Sequence, residues 1–156
     1  MNHTPHPRWV VQHYATLTST MDRAAVFARN GAVEGIVVVS DEQTAGRGRG
    51  GRTWHSPPGS ALYVTLLLRP SVPPPALATL PLVAGVVVAE ALASLTGAQA
   101  QLKWPNDVWL GTDPAHRKVA GILLTSAISG HQVSHVLCGI GINLATPCLL
   151  YTSRCV

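Results

Sequence analysis

Phenylalanine occurs once, methionine twice and cysteine three times in 156 residues, and charged side chains make up only 12%. So few cysteines, with no CxxC pair and an odd total, exclude a disulfide-built secreted scaffold and point to a reducing compartment. Acids are sparse: Asp and Glu total 7, and none lies between Glu42 and Glu90, an interval holding Arg47, Arg49, Arg52 and Arg69. That local positive field, within a net charge of +4, suits an anionic ligand without demanding a nucleic acid. The first twenty residues, MNHTPHPRWVVQHYATLTST, contain neither a continuous apolar h-region nor a small-residue cleavage site. No secretory leader is read there, and the cytoplasm is the expected location. One long apolar run exists, residues 76–96, but Pro81 and Glu90 interrupt it and basic flanks are lacking. A buried helix is expected, not a membrane span.

What is present suits one core. The chain is 47% hydrophobic with a mean hydropathy of +0.25, enough for a single domain and too short for two ordinary ones. Ser19 followed by Asp22 resembles a capping box, and Gly31 is a natural helix terminator, so a helix is expected over 20–30. Strand-like runs fall at 35–40 and 61–68. After Pro73-Pro74-Pro75 a helix is expected over roughly 77–95, then strands at 101–103 resuming at 108–110, at 119–125 and at 133–140. Strands in succession after a helix favour an α+β fold with a mixed, largely antiparallel sheet and helices packed on it.

Three segments carry chemistry. Gly46-Arg47-Gly48-Arg49-Gly50-Gly51-Arg52, with Gln43 before it and Trp54 after, combines glycines that let the backbone approach a ligand with guanidinium forks that pair with phosphate or carboxylate. It formally satisfies GxGxxG, but Pro57-Pro58 follow and no helix opens there, so a dinucleotide-binding reading fails; Walker A lacks its G-K-[ST]. An RGG-like RNA-binding segment is the alternative of another class. Lys103-Trp104-Pro105-Asn106-Asp107 brings a cation and a carboxylate to one loop mouth, where Asp107 could hold Mg²⁺, though taken by itself the segment reads better as an ordinary turn with a surface Lys–Asp pair. In Lys118-Val119-Ala120-Gly121 and Gly139-Ile140-Gly141-Ile142-Asn143, glycines inside strands imply close approach by a ligand or a neighbouring group.

Together these segments, in this order, resemble the catalytic domain of biotin protein ligase, in its monofunctional form without a DNA-binding domain. The resemblance implies a class II aminoacyl-tRNA synthetase-like fold over residues 16–147, incomplete at its C-terminus. Residues 1–15 would then be an N-terminal extension, and the tail CLLYTSRCV at 148–156 a non-native product of a truncated or shifted reading frame. It implies biotin as substrate, ATP and Mg²⁺ as cofactors, and the biotin carrier domain of a biotin-dependent carboxylase as partner. No DNA or membrane partner is implied, and a homodimer is left open.

Carried over by position, Ser19, Thr20, Met21, Gln43, Arg47, Gly48, Arg49 and Lys103 are the implied biotin-binding residues. Met21 departs from the commoner asparagine. Arg47, Arg49, Arg52, Trp54, Asn106, Asp107, Lys118 and Asn143 are the implied nucleotide-binding residues, with Asp107 on Mg²⁺ and Lys103 and Arg49 catalytic. Gly50 stands where relatives often carry a further arginine. The implied reaction joins a carboxylate to the α-phosphorus of ATP, and preorganised cations lower the barrier between two anions. A lipoate or octanoate ligase or transferase is the alternative within the same superfamily.

Overall fold

The computed structural model describes residues 8–54, 58–112 and 116–144. The tail at 148–156 and His3, His6 and His55 lie outside the described residues. In chain order the elements are β1 (Val10–Leu17), α1 (Thr20–Arg29), β2 (Ile36–Gln43), β3 (Ala61–Leu68), α2 (Leu80–Thr96), β4 (Ala100–Lys103), β5 (Asp107–Leu110), β6 (Arg117–Ser129) and β7 (Gln132–Asn143). They build one seven-stranded sheet in the order β1-β2-β3-β7-β6-β5-β4. β1 and β2 run parallel, joined through α1, and the other described pairs are antiparallel. This is the expected mixed, largely antiparallel α+β sheet.

β1 is a correction. The sequence reading leaves residues 1–15 outside the domain, but Val10–Leu17 pairs with β2 from Val10↔Ile36 to Leu17↔Gln43. Its alternation is mostly exposed, so the strand announces itself through backbone pairing and not through an apolar face.

Adjacent residues of a strand point to opposite faces, and the two helices divide those faces. On one, Met21, Ala24 and Ala28 of α1 pack against Val38, Leu67 and Leu137. On the other, Val88, Ala89 and Leu92 of α2 pack against Val108, Ala120, Ile122 and Cys138. The start of α1 follows from Ser19, whose side chain accepts from the Met21 N–H. Its end follows from Gly31, at φ 80°, with Gly31 N–H bonded to Ala28 O and Ala32 N–H to Phe27 O, the paired pattern of a left-handed glycine stop. α2 begins later than expected, because Pro74–Thr79 forms a 3-10 turn first. It is also only half covered: Val83 (54% exposed), Val87 (59%) and Leu95 (83%) face outward. Pro74–Thr96 is long and apolar enough to cross a membrane by length and composition, while its inner face lies on the sheet.

Arg69 is a second correction. Counted in sequence with the glycine-loop arginines, it is tied instead into the scaffold: its guanidinium donates to Ala28 O, Ala32 O and Ser134 O, and its N–H donates to Glu34. It fastens the end of α1 to β3 and β7.

Candidate active site

The register aligns one row of residues across all seven strands: Tyr14, Ser40, Tyr63, Gly141, Gly121, Asp107 and Lys103. It lies on the α1 face, beyond the first turn of that helix, and its two central members are glycines. The trough they leave is filled. A Cβ built on Gly141 would stand 2.8 Å from Trp54 Cε2, and one on Gly121 would stand 2.6 Å from Trp54 Cζ3. The indole therefore rests directly on the backbone of β6 and β7. One row along, a Cβ on Gly139 would stand 2.9 Å from Met21 Sδ. The strand glycines are thus seats for two side chains delivered by the α1 start and the arginine loop.

That loop is an ordered hairpin. Trp54 N–H bonds to Gly46 O, Gly48 N–H bonds to Arg52 O, and Arg47 bridges Thr53. Gly50 (φ 69°) and Gly51 (φ 78°) form the tip, a left-handed pair that side chains disfavour. Gly46 is required for a different reason: a Cβ there would be 2.5 Å from Trp54 O. The hairpin leaves the end of β2 and lays Trp54 over β7 and β6.

Beneath the far edge of the indole, Lys118 Nζ lies 2.8 Å from Asp107 Oδ1, with about a fifth of each side chain exposed. The same ammonium sits 5.2 Å from the Trp54 ring centroid. Asn143 Nδ2 reaches Lys118 O at 3.4 Å. At the other end of the site, Gln43 Oε1 accepts from Thr20 N at 2.7 Å and Thr20 Oγ1 at 3.0 Å. The indole N–H groups of Trp54 and Trp109 are buried without a hydrogen-bond partner among the described residues.

The family profile described as biotin/lipoate A/B protein ligase matches residues 14–143. The chain belongs to this family. The bifunctional ligase/repressor BirA of Bacillus subtilis is 39% identical over 132 residues, covering 85% of this chain and 39% of that protein. The biotin–[acetyl-CoA-carboxylase] ligase of Paracoccus denitrificans is 48% identical over 110 residues, covering 69% of this chain and 44% of its own length. Among solved structures, the biotin protein ligase of Aquifex aeolicus in complex with biotin and ATP superposes with a TM-score of 0.65 at 36% identity, over 85% of this chain and 51% of that one. The chain therefore spans about half or less of the length of these three relatives.

Within this ligase-family domain the expected site residues fall into three groups. Thr20, Gln43, Trp54, Asp107, Lys118 and Asn143 are drawn into the two clusters just described. Several others are engaged in the scaffold. Ser19 is 2% exposed and caps α1; Met21 is core; and the Asn106 side chain donates to Ile122 O at 3.0 Å, pinning the turn before β5 to β6. Arg47 forms an ion pair with Asp22 in the first turn of α1, so its charge meets a carboxylate of the chain itself. A third group stands apart. Arg49 and Arg52 are exposed at the hairpin tip and hold no partner among the described residues. Lys103 Nζ lies 4.5 Å from the Trp109 ring centroid.

The cation paired with Asp107 is thus Lys118, eleven residues downstream, where the KWPND motif had directed attention to Lys103. The bulge between Val108 and Trp109 shifts the β5–β6 register and brings Lys118 alongside. No cluster of three or more His, Cys, Asp or Glu occurs among the described residues. His13 bonds to Asp41 at 2.8 Å, and the His116 ring lies tilted against Trp109, with centroids 4.8 Å apart.

Proposed function

We propose that this domain activates biotin with ATP and passes it to a lysine of a biotin carrier domain. Trp54 on the Gly121–Gly141 trough, beside the Lys118–Asp107 pair, is the observation that carries the reading. The indole seated there draws the arginine hairpin across the sheet, so that a ligand held between the Gln43 and Lys118–Asp107 ends of the site is roofed by a loop whose Arg49 and Arg52 have no partner among the described residues. The named activities of the relatives agree with it.

In the first step a carboxylate oxygen of biotin attacks the α-phosphorus of ATP. The new P–O bond gives biotinyl-5′-AMP, and pyrophosphate leaves. In the second, the neutral amine of a carrier lysine attacks the acyl carbon; AMP leaves with the bonding pair, and the nitrogen gives up one proton to solvent as the amide forms. Arg49, Arg52, Lys103 and Lys118 are the cations that offset the repulsion of two anions in the first step. Arg47, held by Asp22, fixes the hairpin to α1 and is released to anions only if that pair opens. Roofing excludes water from a mixed anhydride that water would hydrolyse.

Mg²⁺ would be held through Asp107 together with nucleotide phosphates, since Mg²⁺ commonly takes one or two protein carboxylates and keeps the rest of its shell for phosphate and water. Asp107 fits as such a single ligand, shared with Lys118. The chemistry it supplies is charge neutralisation on the leaving phosphates. ATP dependence and a buried reduced cysteine suit the cytoplasm.

The test incubates the chain with biotin, Mg²⁺-ATP and a biotin carrier domain. Biotin-dependent pyrophosphate exchange and carrier labelling are expected, with both reduced in Lys103→Ala and Arg49→Ala. Equal labelling by all three proteins overturns the site assignment. Exchange that depends on lipoate instead moves the chain to the other branch of the family, and salt-sensitive RNA binding indifferent to ATP restores the RGG-like alternative.

A further inference from the structure

Thr65 belongs to none of the ligand-binding segments. It sits in the middle of β3, fully buried at 0% exposure, between Val38 of β2 and Gly139 of β7 in the sheet. Its Oγ1 lies 2.8 Å from Thr20 Oγ1, and Thr20 Oγ1 and N lie 3.0 and 2.7 Å from Gln43 Oε1.

The direction of every bond in this chain is determined. The Thr20 N–H can only donate, so the Gln43 atom that meets it must be the carbonyl oxygen and not the amide nitrogen. That oxygen can only accept, so the Thr20 hydroxyl spends its single hydrogen on Gln43. The contact between the two hydroxyls then needs a hydrogen from Thr65. The relay runs Thr65 to Thr20 to Gln43 Oε1, and it leaves Gln43 Nε2 as the end of the carboxamide that the relay does not use. That nitrogen lies at the root of the hairpin, 3.1 Å from where a Gly46 Cβ would be.

We propose that Thr65 is a positioning residue for the biotin end of the site: through Thr20 it holds the Gln43 carboxamide with its N–H pair toward the ligand, so the pocket presents a donor there and requires an acceptor of what it binds. This rests on the biotin reading above. Buried hydroxyl chains of this kind fix orientation because each member has a single hydrogen to give.

The test is a double-mutant cycle read by calorimetric titration with biotin alone and, separately, with ATP alone. Thr65→Val keeps the shape and removes the donor; a roughly tenfold weaker biotin affinity is expected, with ATP affinity within about twofold. Thr65→Ser restores the donor and should bind biotin within about twofold of the parent chain. In a Gln43→Ala background the Thr65→Val change should cost nothing further, because the group it orients is gone. A merely structural role would weaken both ligands alike and survive in that background. If Thr65→Val loses its folded circular-dichroism spectrum, Thr65→Ala carries the same comparison without pressing a methyl group on the Thr20 oxygen. Biotin binding by the parent that is unchanged in Thr65→Val, or additive loss in the cycle, overturns the inference. No biotin binding by the parent chain overturns the biotin reading instead.

Discussion

Trp54 packs against Gly141, close enough that one added methyl on the glycine would stand 2.8 Å from indole Cε2. The strand is held on both sides, by β3 and by β6, while the indole hangs from a hairpin. A clash between them is therefore relieved by moving the hairpin. Gly141→Ala is expected to lift Trp54 from its seat, red-shifting part of the tryptophan emission. Adenylate formation should fall by about tenfold or more, and melting should drop by only a few degrees. Unchanged emission with unchanged turnover would show that the seat is not needed.

Lys118 and Asp107 are mutually compensating charges with little exposure. Lys118→Met strands a carboxylate and should destabilise the fold by about 1–3 kcal/mol by chemical denaturation, less than for a fully buried pair. Adding Asp107→Asn should recover part of that stability and none of the ATP-dependent activity. Recovery of both together would make the pair purely structural.

The Arg47–Asp22 pair is half exposed, and such pairs contribute about 1 kcal/mol or less to stability. Asp22→Asn should leave the melting temperature nearly unchanged yet make the hairpin more sensitive to trypsin, which cuts after arginine. Added salt should produce the same sensitivity in the parent chain. A hairpin equally protected in the variant would show that Trp54 alone holds it down.

Burial pushes the Cys138 thiol up to about 11, so it stays protonated at neutral pH. With Cys148 and Cys155 replaced by serine, Cys138 should resist a thiol-disulfide reagent at pH 8 and react promptly in urea. The sign for stability follows from a raised value. The contribution of the neutral thiol is whole below its ordinary value near 9 and is lost as pH rises toward the folded one, so unfolding free energy should decline between roughly pH 9 and 11. A Cys138→Ala variant should show a flatter decline over that window.

Most of the fold was legible because its signals are local. Ser19 and Gly31 bound α1, and β3 alternates along Ala61–Leu68 with its even-numbered positions on the α2 side. What escaped depends on pairing between distant segments. β1 carries His13, Thr16 and other polar residues on an outer strand, and only its parallel partner reveals it. β6 and β7 outrun their apolar stretches because the hairpin between Ser126 and Val136 is held by its own ladder. In the site, the glycine hairpin and the Asp107 turn were legible from composition, and the strand glycines from their cost in a sheet. The Lys118 pairing was not, since it follows from a one-residue bulge in β6, where Val119 is the extra residue opposite the Val108–Trp109 step of β5. Thr65 had a faint signal, a threonine on the buried side of an otherwise apolar and aromatic strand. Arg69 was misassigned because charge counts cannot tell a ligand-facing guanidinium from one satisfied by three backbone carbonyls.

The sheet order has a consequence for how such a site comes into being on the ribosome. β1 to β3 are made first and β4 and β5 next, yet these two groups are not neighbours in the sheet; the hairpin β6–β7, last of the described strands, slots between them. Until it emerges, Gln43 and Asp107 belong to separate nascent fragments, each with an unzipped border open to wrong partners. The Gln43 end and the Asp107 end of the candidate site are thus joined into one surface only with the closing of the central seam.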